Sequence, residues 1–137
     1  MEERQRTASY GICLDADGRI LLARASPAIS LQGLWFLPGG GLQHGEHPLE
    51  ALRREIEEES GLTVEVGPLL DVLSDVRALP DGTSLHTIRF IYRVDSWQGT
   101  LRPEAQGTTD AVAWVSKEEL AALPLAPYVD GIVRRYL

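Results

Sequence analysis

Cysteine is nearly missing from this 137-residue chain: Cys13 stands alone, inside the apolar run Tyr10–Leu14. No disulfide can close within the chain, which fits a reducing, cytoplasmic setting, and a lone thiol in an apolar run reads as a packing residue. Clusters of Lys and Arg are missing too, and the formal net charge is −7. That argues against a nucleic-acid duplex or an anionic membrane as the partner. The opening MEERQR has no apolar core of the kind a secretion signal needs. The longest uncharged stretch, Ala25 to Gln43, holds two prolines, four glycines, two serines and two glutamines, so it reads as loop and not as a membrane span. Repeats, low-complexity tracts and interdomain linkers are also lacking. Residues 1–137 are therefore expected to form one domain, with residues 1–6 as a flexible tail.

What is present is ordinary for a soluble globular protein: 44% hydrophobic and 24% charged residues, in a chain long enough to bury a core. Tyr10–Leu14 and Arg19–Ala23 predict a hairpin around Asp15-Ala16-Asp17-Gly18. A short apolar strand is expected at Trp35–Leu37, then a turn at Gly39-Gly40-Gly41. Further strands are predicted at Thr63–Val66, Leu69–Val76, Leu85–Asp95 and Ala111–Val115. Ser116 and Glu119 predict a capping box that opens a short helix, Lys117–Leu123. A last amphipathic helix is expected over Tyr128 to Tyr136. The order of strands, helix, strands and helices implies a mixed sheet with helices against it, an α/β arrangement unlike a doubly wound parallel sheet.

The strongest helix signal runs from His47 to Ser60. Pro48 suits the first helical position, Leu49, Leu52 and Ile56 form the apolar stripe, and Gly61 supplies the stop. At about 100° per residue, Glu55, Glu58 and Glu59 share one face beside that stripe. Like charges at such spacing repel by roughly 0.2–0.5 kcal/mol per pair. A solvated acidic face is the plain explanation of three such carboxylates. Hard divalent cations, which prefer oxygen ligands, are the functional one.

The preceding residues favour the second. From Gly40 the chain reads GGLQHGEHPLEALRREIEEESGL: Gly40, five residues, Glu46, seven residues, Arg54-Glu55-Ile56, one residue, Glu58-Glu59, one residue, Gly61-Leu62. This is similar at every fixed position to the Nudix box, G-x5-E-x7-R-E-U-x-E-E-x-G-U with U apolar. A chance match at one start position is on the order of one in a billion at average residue frequencies. The resemblance implies a Nudix-like α/β/α sandwich with a mixed β-sheet, and a metal-dependent enzyme acting on phosphorus-containing acid anhydrides. It implies Mg²⁺ or Mn²⁺ held by Glu55, Glu58, Glu59 and the carbonyl of Gly39, with Arg54 orienting the carboxylates. Glu46 is read either as a direct or water-mediated ligand or as a structural cap. Glu55 and Glu58 both stay open as the general base, with Glu104 as an alternative, because Nudix enzymes use different ones. Relatives are often dimers, so a homodimer is an open expectation.

For substrate contacts the candidates are Arg89 and Arg93 on one face of a strand, and Trp35 and Phe36 before the glycine turn. Each has a plainer explanation: solvent exposure for the arginines, core packing for the aromatics. His86 reads as a partly buried core histidine, and His44 and His47 lack a third ligand for zinc. The favoured substrate is a nucleoside diphosphate linked to another group, of the ADP-ribose or nucleotide-sugar type. Pro80 near the position of a proline common in that branch gives slight support. The alternatives are a nucleotide-sanitising hydrolase that releases pyrophosphate from a (deoxy)nucleoside triphosphate, and a Nudix module that only binds ligand. Leu21-Leu22-Ala23-Arg24-Ala25-Ser26 has its arginine out of register with the coenzyme A signature, and the downstream motif of the NADH-type branch is absent.

Overall fold

The computed structural model describes residues 2–25, 33–102 and 109–137. Its elements run β1 (Glu3–Ile12), β2 (Ile20–Ala25), β3 (Trp35–Phe36), β4 (Gly39–Gly41), α1 (Pro48–Ser60), β5 (Thr63–Ala78), β6 (Ser84–Gln98), β7 (Thr109–Val115), α2 (Lys117–Leu120) and α3 (Pro127–Tyr136). One sheet has the order β4-β1-β6-β5, and a second has the order β3-β2-β7. β1 and β6 pair in parallel while the other pairings are antiparallel, so the arrangement is mixed as expected.

Strand periodicity explains how two helical layers cover these sheets. Leu21 packs with Leu52 and Ile56 of α1, while its neighbours Ile20 and Leu22 pack with Val129 and Ile132 of α3. On β6, Tyr92 and Ile91 divide in the same way. Strands buried on both faces read as continuous apolar runs, which is why ILL and FIY carry no polar alternation. Full burial of Leu52 and of Ile56 contributes roughly 1.5–3 kcal/mol each. Helix α1 begins where the His47 ring accepts from the Leu49 amide and Pro48 takes the first turn. It stops at Gly61, whose φ of 79° is left-handed and whose N–H donates to the Glu57 carbonyl.

Several expectations need correction. Residues 1–6 are not wholly a tail: Glu3–Arg6 pair with Ser84–Thr87 as the start of β1. A run of charged and polar residues hides this, because parallel pairing depends on the backbone. The anticipated hairpin keeps its turn, with Gly18 N–H on the Asp15 carbonyl. Its strands then part, β1 joining one sheet and β2 the other. The two strands expected on either side of Gly67-Pro68 are one strand, β5, which absorbs those residues through register shifts between Glu65 and Asp71. The glycine turn is itself strand β4, antiparallel to β1. Helix α2 ends at Leu120 and gives way to tighter turns through Leu123.

Candidate functional site

The site is built around one arginine. Arg54 donates from Nε and Nη2 to both oxygens of Glu46, at 2.8 and 2.9 Å, in a bidentate pair. Its Nη1 reaches Glu55 at 3.1 Å and Glu58 at 3.3 Å, and its Nη2 also reaches the Gly41 carbonyl at 3.2 Å. Glu58 is one helical turn after Arg54, so the local helix supplies that contact and the loop before α1 supplies Glu46. The Arg54 hydrogen bonds, then the Gln43 amide, hold the Glu46 carboxyl down at about 2. Glu46 in turn raises the Arg54 guanidinium above its ordinary value. With both oxygens engaged, Glu46 acts in this structure as a strut between loop and helix, and the helix cap is His47.

Glycine chemistry brings β4 against this helix. The Gly39 N–H donates to Glu59 Oε1 at 2.8 Å, and Glu59 is buried. Gly39 has φ 144°, and a Cβ there would lie 2.0 Å from the Ser9 carbonyl oxygen. A Cβ on Gly40 would lie 2.7 Å from the Glu55 carboxyl carbon. The bare strand thus lets carboxylates pack directly on its backbone. Glu59 meets the Gly39 amide, while Glu55 and Glu58 meet through Arg54. Among the described residues, however, no three acidic, His or Cys side chains already converge as a finished ligand sphere. Arg54 Nη1 contacts both Glu55 and Glu58, and Glu59 is turned to the Gly39 amide. As hard oxygen donors within two turns of one helix, these carboxylates fit Mg²⁺ or Mn²⁺ in kind.

A cavity of about 710 Å³ opens beside them. Glu55 and Glu59 form one wall, Arg6, Thr87, Arg89 and Tyr128 contribute to the other, and residues 39–41 lie between them. Tyr128 is half-buried, with rings of Tyr10 at 5.2 Å and Phe36 at 6.2 Å. Its hydroxyl is fully buried beside the Leu37 amide but outside hydrogen-bonding geometry, and burial pushes it well above the usual phenol range. Arg89 lies over the Tyr128 ring at 4.5 Å and pairs with Asp75.

The substrate candidates therefore divide. Arg89 and Phe36 border the cavity; Arg93 and Trp35 do not. Arg93 shares Arg89's face, yet lies two repeats further along the strand, exposed and paired with Asp95 at 3.0 Å. Trp35 packs against the α3-side core, and Arg24 lies 5.7 Å from its ring centroid. His86 bridges Gln5 and Ser74. Glu104 lies outside the described residues. Sequence reasoning missed Arg6, Tyr10, Asp75 and Tyr128, which no short motif connects. The alternation of Arg6, Ala8 and Tyr10 along β1 could have signalled a shared face, had the strand been extended to Glu3.

Comparisons with known proteins bear on the family and the fold. The family model described as NUDIX domain matches residues 4–136. The chain is 34% identical over 114 residues to the CTP pyrophosphohydrolase of Escherichia coli (strain K12), covering 83% of this chain and 78% of that protein. It is 34% identical over 127 residues to nucleoside triphosphatase NudI of Enterobacter sp. (strain 638), covering 89% of each. An ADP-ribose pyrophosphatase of Methanocaldococcus jannaschii is 36% identical over 89 residues, 65% of this chain and 50% of its own. Among solved structures, a MutT NUDIX hydrolase from Burkholderia pseudomallei superposes with a TM-score of 0.80 at 30% identity, covering 98% of this chain and 99% of that one. A box complete in sequence, folded as strand and helix around Arg54 and shared along nearly the whole chain, places this protein in the Nudix hydrolase family.

Proposed function

We propose that this protein hydrolyses a nucleoside triphosphate to the nucleoside monophosphate and pyrophosphate, in the presence of Mg²⁺ or Mn²⁺. The observation that carries the reading is a cavity that joins the carboxylates to an aromatic floor, at a volume typical of a small-molecule site. Nucleobase and sugar lie against Tyr128 and Phe36, with the phosphates toward Glu55 and Glu59. A diphosphate bridged to a second organic group calls for a second grip. Two of the residues expected to supply it, Arg93 and Trp35, lie elsewhere. The relatives named for triphosphate substrates also match along more of both chains than the relative named for ADP-ribose.

Glu55, Glu58, Glu59 and the Gly39 carbonyl would hold the divalent ion, which supplies Lewis acidity toward phosphate oxygens and a water of lowered pKa. Glu55 borders the cavity and Glu58 does not, which favours Glu55 as the base. In the reaction the bond joining the α- and β-phosphates breaks, the hydroxyl of water adds to phosphorus, and its proton passes to Glu55. Arg54 holds Glu55 in line, with Glu46 fixing Arg54 from behind.

The test is a comparison of kcat/KM for the common ribo- and deoxyribonucleoside triphosphates, 8-oxo-dGTP, ADP-ribose and a sugar nucleotide, with products separated and identified. Pyrophosphate release from a triphosphate should dominate. If ADP-ribose or the sugar nucleotide is cleaved about tenfold faster than every triphosphate, the bridged-diphosphate reading replaces this one.

A further inference from the structure

A carboxylate-rich site in a protein of net charge −7 needs cationic groups of its own to hold a polyphosphate. Arg54 is turned to Glu46, Glu55, Glu58 and Gly41. Arg89 is tied to Asp75 and lies over Tyr128. Arg77 borders the cavity from β5, two strands from β1, about 10 Å across the sheet by ordinary strand spacing. Arg6 is different. Its place on β1, opposite Thr87 of β6, puts it on the cavity wall. There its guanidinium makes one hydrogen bond among the described residues, from Nη1 to the neutral Tyr10 hydroxyl at 3.3 Å. A guanidinium carries five N–H donors, and half-buried Arg6 keeps most of them for water or an anion that enters the cavity. Burial works against its charge; Tyr10, Tyr128 and Glu55 outweigh that and keep it firmly protonated.

The glycine strand explains how this cation reaches the carboxylates. A Cβ on Gly40 would strike Glu55, and one on Gly41 would lie 3.7 Å from Arg6 Nη2. Bare backbone at Gly40 makes room for Glu55, and Arg6 lies at ordinary contact distance beside Gly41 on the same cavity. We propose that Arg6 is a substrate-binding residue that donates to non-bridging oxygens of the substrate's phosphate chain, on the wall facing the carboxylates. This rests on the triphosphate reading. It assigns a binding role to a side chain outside the box, on the other face of the site.

The experiment compares wild type, Arg6→Gln and Arg6→Lys in Mg²⁺. Calorimetry gives affinities for inorganic tripolyphosphate and for an uncharged nucleoside, and kinetics gives KM and kcat for the preferred triphosphate. Arg6→Gln should weaken tripolyphosphate binding and raise KM by about 10- to 100-fold, with nucleoside affinity and melting temperature nearly unchanged. Arg6→Lys keeps the charge and loses the planar fork, so its defect should be intermediate, and it serves as the test if Arg6→Gln does not fold. Unchanged tripolyphosphate affinity in the folded variants overturns the proposal, as does a loss of melting temperature with KM unaltered. Wild type that binds tripolyphosphate through Arg6 but cleaves only bridged diphosphates would refute the triphosphate reading and leave the role of Arg6 standing. Wild type that binds no tripolyphosphate overturns the role of Arg6, while the triphosphate reading stands or falls on the product comparison.

Discussion

The two walls of the cavity are built on opposite principles. On the α1 wall a guanidinium that also binds Glu46 and Glu58 behind it holds Glu55, and a backbone amide holds Glu59. On the facing wall Arg6 has one neutral partner, and both Arg89 Nε and the Tyr128 hydroxyl are buried without a partner among the described residues. The first wall is satisfied by the protein itself, as suits groups that must be held in one geometry before reaction. The second leaves hydrogen-bonding capacity unused, as suits groups that meet a ligand. On the proposed function, chemistry and recognition are thus separated across a strand of three glycines.

The largest expected break in that contrast is loss of a carboxylate from the α1 wall. Glu55→Gln should lower kcat on the order of 10²–10⁴-fold if Glu55 is the base. Glu58→Gln should cost less; a greater loss there would transfer the base to Glu58. Unfolding without metal should change little in both, since each variant removes a repelling charge together with an ion pair to Arg54. Metal removal by EDTA should abolish turnover of the preferred triphosphate. Undiminished activity with bound metal excluded by elemental analysis would overturn the metal-dependent mechanism.

Next come the glycines between the walls. Gly39→Ala meets backbone at 2.0 Å with φ at 144°, so it should destabilise the fold by about 3 kcal/mol or more, read from denaturant unfolding. Gly40→Ala meets only the movable carboxyl of Glu55, so stability should hold while kcat falls, on the order of 10²-fold for an ångström of misplacement. Equal stability losses in the two would show that β4 is structural at both positions.

A smaller effect concerns the strut. The folded-state Glu46 carboxyl is depressed to about 2 from an ordinary 4.5. Its contribution to stability should therefore be complete above 4.5 and disappear as pH falls from there through about 2. Unfolding curves of Glu46→Gln and wild type should converge across that window, and a difference that persists at the acid end would place the stabilisation elsewhere. Smallest is the thiol. Burial, then Asp15, pushes Cys13 up to about 12, so the folded protein should resist alkylation at mildly alkaline pH and react only when unfolded.

Legibility followed the distance between interacting residues along the chain. Glu46, Arg54, Glu55, Glu58 and Glu59 lie within 14 positions, so helix period and a local turn suffice to gather them. Period also put Arg89 and Arg93 on one strand face. It could not say where along that face a cavity would open, because that depends on how β1, β5 and α3 close around β6.

By itself, the sequence determined the box, the carboxylate face of α1, both ends of that helix and the apolar runs that need cover on two sides. Each follows from contacts a few residues apart, where covalent geometry already limits the outcome. Tertiary structure decided the rest: which sheet takes β1 and which takes β2, that Arg6 belongs to a strand and not a tail, and that Arg89 meets Tyr128 from 39 positions away. Those contacts arise only when parallel pairing of β1 with β6 and the docking of α3 bring distant residues together, and no local preference encodes such a meeting.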